Sequence, residues 1–328
     1  MTLCDSHCHV KCHSQINTTA EFIAAIDAFE PPTVFNIMST NPWDLDYLSI
    51  VVEQDSHNHV VPFLGIHPWY SHLVSLLDTT KEEHYVLVLT DATPELLRVL
   101  PEPVPLLVHL CKIEKLIVQL KSSNRKFGIG EIGLDKLFRI PSSGFFGCPD
   151  HGARVTLTKS KVRMNHQLTV LISQLEIADK FKLPVSLHCV RAHGRLFEAL
   201  LNRYTRITRV ILHSYSGSIE QAQQWVEDFK QQKRELSFSF STLVNGKSEK
   251  IEHLRALISL LDDKQILLES DLPIDDFFLT GRQNEYRETM DRMKAHIREF
   301  KAWPVEFAET VLEQNSSNVH KYSEVTKV

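Results

Sequence analysis

The chain has 328 residues, 43% of them apolar and 23% charged, with 36 Lys and Arg against 41 Asp and Glu for a net charge of −5. These values exclude a disordered or collagen-like chain, and the acidic balance excludes binding of a polyanion through global charge alone. Six cysteines are too few for a disulfide framework, whereas 17 histidines are a surplus that invites a chemical explanation.

The chain opens MTLCDSHCHV, with neither a basic nor an apolar leader, and no run nears the ~18 apolar residues of a bilayer span. A cytoplasmic or nuclear protein without membrane association is expected. The first predicted strand is Leu3–His9, followed by a helix over Thr18–Ala28 with Thr18 as a possible cap. Thr33–Met38 and Val60–Ile66 are the second and third strands. Residues 71–125 exceed one strand–helix unit and leave room for an extra helix pair or an embedded strand at Tyr85–Leu89. Phe127–Ile132 is the fourth strand. Residues 136–164 read as a long irregular loop, broken by Pro141, Gly144, Gly147, Pro149 and Gly152. Its Lys136, Arg139, Arg154, Lys159, Lys161 and Arg163 face only Asp150, a net of +5 within an acidic chain.

Asn165–Phe181 carries Leu168, Leu171, Ile172, Leu175 and Ala178 at helical spacing. Four further strands are predicted at Val185–Cys189, Arg209–His213, Glu235–Ser241 and Gln265–Glu269. Helices fill the gaps at Arg195–Tyr204, Ser218–Phe229 and Glu249–Leu261, and the tail from Arg282 to Tyr322 is mostly helical. Several strands are continuous apolar runs, as buried parallel strands are. Eight strands, most followed by a helix, predict a (β/α)8 barrel in one domain over 1–328, with long insertions at about 71–125 and 136–164. A doubly wound sheet is the alternative, but it gives no reason for eight.

Asp5, His7 and His9 alternate on the first strand and share one face; Cys4, Cys8 and Val10 share the other. Later strands end in His67, in Glu131 with Asp135, in His188, in His213, and in Glu269 with Asp271. Barrel active sites are built at these C-terminal ends. His7, His9, Glu131, His188, His213 and Asp271 therefore converge in a mixture of imidazole and carboxylate suited to Zn2+, Mn2+ or Fe, with Mg2+ also possible. Six ligands exceed one tetrahedral site, and Glu131, on the middle strand, is the natural bridge between two ions. A zinc knuckle from Cys4, His7, Cys8, Cys12 and His13 competes poorly, because strand alternation splits those residues between two faces. Cys189 adjoins His188 but points the opposite way. Neither a nucleotide-binding glycine loop nor HExxH is present.

DSHCH at 5–9, GIHP at 65–68, GEIGLD at 130–135, LPVSLHC at 183–189, ILHSYSGSIEQA at 211–222 and ESDLP at 269–273 resemble, in order, the TatD family of metal-dependent hydrolases. The match runs to near Asn315, and the long insertions resemble the eukaryotic, fungal-type branch. The resemblance implies a barrel with two divalent ions (Mg2+, Mn2+ or Zn2+) and exonucleolytic hydrolysis of DNA, single-stranded or at frayed ends. It places one ion on His7, His9, Glu131 and Asp271, and the other on Glu131, His188 and His213. Asp271 would also orient or deprotonate the attacking water, and His67 would touch the substrate phosphate. Many members carry an Arg two residues after the strand-five His; here Val190 stands there, with Arg191 one step on. Arg154, Lys159 and Lys161 are further candidate phosphate contacts on a lid or strand guide. Two other readings compete: a metal hydrolase of uncharged esters or amides, and a protein-interaction module docking through 71–125.

Overall fold

The computed structural model describes residues 3–11, 16–148 and 155–319. Eight parallel strands lie side by side in chain order: β1 Leu3–His9, β2 Thr33–Met38, β3 Val60–Leu64, β4 Gly128–Asp135, β5 Val185–Val190, β6 Arg209–Leu212, β7 Glu235–Phe240 and β8 Ile266–Leu268. The end of β8 returns to β1: Asp271 N–H donates to His7 O at 3.0 Å, and His9 N–H donates to Leu272 O at 2.8 Å. The predicted (β/α)8 barrel is what forms, with strand positions matching the apolar runs to within a few residues.

The helices are α1 Thr19–Asp27, α2 Asp44–Gln54, α3 Lys81–Val88, α4 Pro94–Val99, α5 Leu106–Ser122, α6 Met164–Phe181, α7 His193–Leu200, α8 Ile219–Gln231, α9 Ile251–Leu260, α10 Ile274–Leu279, α11 Gln283–Lys301 and α12 Val305–Val319. Strand alternation divides the core. Phe35, Ile37, Leu187, Phe238 and Leu268 belong to the main buried cluster, together with helix residues such as Leu175 and Trp225. Met38, Val61, Phe63, Ile211 and Leu267 form a separate buried cluster, which Val319 of α12 joins. Thr18 occupies the cap position of α1, but its side chain makes no capping bond.

Residues 71–125 resolve the choice between helices and an embedded strand. Tyr85–Val88 lies within α3, which starts with a reciprocal capping box between Thr80 and Glu83. That box satisfies two helix donors at once and outweighs the β propensity of a short apolar run. Only Leu89 makes a strand-like bridge, antiparallel to Val162. Val74–Ser75 and Val104–Pro105 pair as a two-stranded parallel ladder. Along this flank Leu76, Leu77, Leu107 and Val108 leave apolar surface exposed.

The long loop is irregular over 136–148 and 155–163, with a bridge between Pro141 and Leu157. It shares a satellite core with the insertion: Tyr70, Leu73, Tyr85, Val88, Leu89, Leu96, Leu100, Ile140, Phe145 and Val162. Buried histidines fasten it. His72 Nε2 donates to Gly144 O at 3.1 Å, His84 Nε2 to His72 O at 2.8 Å and His166 Nε2 to Ser71 O at 2.8 Å. This satellite stands over the β3–β4 side of the barrel mouth.

Candidate metal centre

The pleat of β1 turns His7 and His9 to the same side and brings their Nε2 atoms to 3.3 Å from each other. Cys8, between them, lies in the helix-side core. Asp5 accepts from His7 N–H and Ser270 N–H, and from the Tyr286 hydroxyl, so the base of the site is tied to β8 and α11. Gly133 lets β4 lie against β5, because a Cβ there would collide with the backbone of His188.

Glu131 is the hub. Its Oε2 lies 3.4 Å from His7 Nε2 and 3.4 Å from His9 Nε2. Its Oε1 lies 3.2 Å from His67 Nε2, 2.9 Å from His188 Nδ1 and 3.4 Å from His213 Nε2. Asp271 Oδ1 completes the Oε2 side, 3.2 Å from His9 Nε2. All six predicted ligands therefore meet, and so does His67. The groups His7–His9–Asp271, His7–Glu131–His213 and His67–Glu131–His188 each hold their ligand atoms within 4.8 Å.

The hydrogen bonds behind these rings distribute the protons. His213 Nδ1 lies 3.1 Å from Glu269 Oε1, which also accepts from Ser214 N–H, so a proton on Nδ1 leaves the Nε2 lone pair for a cation. His7 Nδ1 lies 2.9 Å from Ser186 Oγ and can donate to it in the same way. His188 Nε2 lies 3.3 Å from Asp135 Oδ2, leaving Nδ1 toward Glu131. His67 differs. Its Nδ1 accepts from Trp69 N–H at 3.1 Å, so the neutral ring carries its proton on Nε2 and presents a donor rather than a ligand.

Charge follows from this packing. Burial alone would push the Glu131 carboxyl up, but His67, His213 and His7 overcome that and hold it well below its usual range. Burial lowers His67 to about 4, which keeps it neutral. Burial also opposes charge on His188 and His213, yet Asp135 and Glu131 raise the first to about 9, and Glu269 and Glu131 raise the second to about 10, so both rings are charged at neutral pH and a cation bound there would displace the protons that face Glu131. The Nε2 atoms of His7 and His9 converge beside a buried carboxylate, and His9 Nδ1 is buried without a partner among the described residues. This donor set fits divalent cations of the Zn2+, Mn2+ or Mg2+ type.

Two partners of the ligands were visible as strand-end acids but lay outside the predicted ligand set. Asp135 orients His188, and its Oδ2 also accepts from Trp69 Nε1 at 2.7 Å. Glu269 orients His213. Asp135→Asn is expected to weaken metal affinity and lower kcat/KM by about 10–100-fold, read by metal titration and steady-state kinetics. A change below twofold in both would deny Asp135 this orienting role.

The predicted phosphate contacts fare unevenly. Arg191 adopts a left-handed backbone (φ +54°) just after β5 and turns into a cleft beside the site. Lys159 and Lys161 line neither that cleft nor the metal cavity; Lys161 Nζ donates instead to Lys136 O at 3.2 Å. Arg154 falls outside the described residues, as do Cys12 and His13 of the knuckle alternative. Asp27, Asp55 and His59 also cluster, but Asp55 is taken by Arg125 at 2.7 Å.

A (β/α)8 barrel with buried imidazoles and carboxylates at the C-terminal ends of its strands defines a metal-dependent hydrolase. A family model described as TatD related DNase matches residues 4–321, so the chain belongs to the TatD-related DNase family. It is 34% identical over 285 residues, 84% of either chain, to an uncharacterized deoxyribonuclease of Saccharomyces cerevisiae. It is 30% identical over 272 residues to the Cut9-interacting protein scn1 of Schizosaccharomyces pombe, covering 72% of this chain and 78% of that one. Among solved structures, a TatD homologue from Escherichia coli superposes with a TM-score of 0.61 at 18% identity, over 97% of both chains. The chain is thus a metal-dependent, deoxyribonuclease-like hydrolase of ester bonds. No helix among the described residues is long and apolar enough to cross a membrane.

Proposed function

We propose that this chain is a two-metal phosphodiesterase that shortens DNA from an end. The observation that carries the reading is the division of ligands between the two oxygens of Glu131: His7 and His9, with Asp271, on Oε2, and His188 and His213 on Oε1. A carboxylate so placed suits a bridge between two ions.

Divalent cations bound there lower the pKa of a bound water and offset charge developing on the phosphate oxygens. Asp271 stands at the more open edge of the cluster. Burial would raise its carboxyl, but His213 and His9 hold it below its usual value, so it is ionised and able to take the proton of the attacking water. The closure bond from its N–H to His7 O fixes its position. His67 Nε2–H is directed at the same centre and donates to a non-bridging phosphate oxygen. Trp69 holds the other face of His67 and stacks on Phe138 at 4.8 Å between ring centres. Trp69 and Tyr70 line this side of the cavity, which supports reaction at a strand end over passage of a continuous strand.

The test is hydrolysis of an end-labelled single-stranded oligonucleotide and of a single-stranded circle, with Mg2+, Mn2+ or Zn2+ and with chelator. The expected result is stepwise shortening of the linear strand, abolished by chelator, and an intact circle. Cleavage of the circle at the linear rate would overturn end-directed action. No hydrolysis of any phosphodiester by the metal-loaded protein would overturn the whole reading.

A further inference from the structure

The metal cavity has a larger neighbour. It occupies about 570 Å3, and the cleft beside it about 1150 Å3; Val190 and Ser216 line both. The cleft runs over the loops after β5 and β6 toward the start of α9. Its charged lining is one-sided: Lys136, Arg163, Arg191, Arg195 and Lys250 against Glu249 alone. Lys250 is engaged, its Nζ donating to Val244 O at 2.9 Å. Lys136, Arg163, Arg191 and Arg195 are exposed and form no ion pair among the described residues. Four cations without an ion pair among the described residues, gathered in one concavity of a chain with net charge −5, make that concavity attractive to an anion.

We propose that this cleft is a second binding site, a track for the sugar–phosphate backbone of single-stranded DNA beyond the nucleotide at the metal centre. The proposal rests on the phosphodiesterase reading above. Three features favour an extended strand over a lone phosphate. The cleft is about twice the size of the metal cavity. Its four unpaired cations come from three separate segments: the end of β4, the residue before α6, and the turn from β5 into α7. His193 and His253, half-buried in its lining, add ring surfaces on which unpaired bases can stack. The left-handed turn at Arg191, just after β5, sets this residue in the cleft lining.

A track of this kind makes affinity depend on strand length. The experiment compares KM for a dinucleotide and an octanucleotide, and the salt dependence of octanucleotide binding, in the metal-loaded wild type and in Lys136→Ala/Arg163→Ala/Arg195→Ala. In the wild type, KM is expected to fall at least about fivefold from dinucleotide to octanucleotide. In the triple variant the two KM values converge, and the slope of log affinity on log salt falls by about 0.7 for each cation removed. Arg163→Lys/Arg195→Lys retains the charges and restores the length dependence. Thermal melting shows whether the triple variant is folded, and Arg195→Ala alone, at an exposed site, gives a smaller shift in the same direction. Equal wild-type KM values for the two lengths, or a folded triple variant with wild-type length and salt dependence, would overturn the track and leave the metal centre's assignment standing. Absence of turnover for both lengths in the wild type would instead remove the phosphodiesterase reading, and the track with it.

Discussion

Glu131→Gln removes metal-dependent hydrolysis, lowering kcat/KM by well over about a hundredfold, while the folded barrel survives. The substitution keeps the shape of the side chain and changes only its chemistry. One oxygen becomes an amide NH2, a donor with no lone pair for a cation, and the formal charge at the hub is lost. Residues that merely orient ligands cost about 10–100-fold when changed. Glu131 faces five imidazoles itself, so its loss exceeds that range. Under the two-ion reading proposed above, the count of bound ions also falls. Steady-state kinetics, metal titration and a melting curve together read the effect. A variant within tenfold of wild-type activity, still binding the full complement of metal, would show that Glu131 does not bridge.

The convergence of the six candidate ligands was legible because strand geometry made it so. A β-strand repeats every two residues, and a barrel gathers the C-terminal ends of its strands, so His7, His9, Glu131, His188, His213 and Asp271 could be placed together without knowing any distance. Orientation was not legible. Nothing in GIHP says that Trp69 N–H occupies His67 Nδ1, although that bond decides which nitrogen keeps the proton. Asp135 and Glu269 stood in the motifs, but their roles depend on which ring each one reaches across neighbouring strands. The basic loop illustrates the other limit. Its charge was plain in the sequence, yet Lys136 and Arg163 reach the cleft while Lys159 and Lys161 do not, because the bridges from Leu89 to Val162 and from Pro141 to Leu157 fix the path of an irregular segment. The strand option at Tyr85–Leu89 failed for a local reason, since the Thr80–Glu83 box caps a helix that takes in Tyr85–Val88.

Acid is expected to loosen this protein through histidines that take no part in chemistry. His72, His109 and His166 are buried, and burial lowers His72 to about 3 and His109 and His166 to about 4. A free imidazole titrates near 6.5, so between that value and about 4 the unfolded chain binds protons that the folded chain cannot. Their contribution is therefore fully present above pH ~6.5 and is lost as pH falls. Moving from about pH 7.5 to about pH 5 costs roughly 2 kcal/mol for each, or about 6 kcal/mol for the three, against a typical total stability of 5–15 kcal/mol. His188 and His213 titrate in the opposite sense, so the informative quantity is a difference between variants at each pH, in which the metal centre cancels. His72→Gln keeps a donor for Gly144 O and removes the titration. Urea unfolding is expected to show the variant losing about 2 kcal/mol less than wild type over that pH interval. Because His72 joins the 68–73 turn to Gly144, the rescue concentrates in the satellite core, and hydrogen exchange of α3 and the 136–148 segment at acid pH reads it directly. Parallel stability curves for wild type and variant would show that protonation of His72 is not what acid exploits.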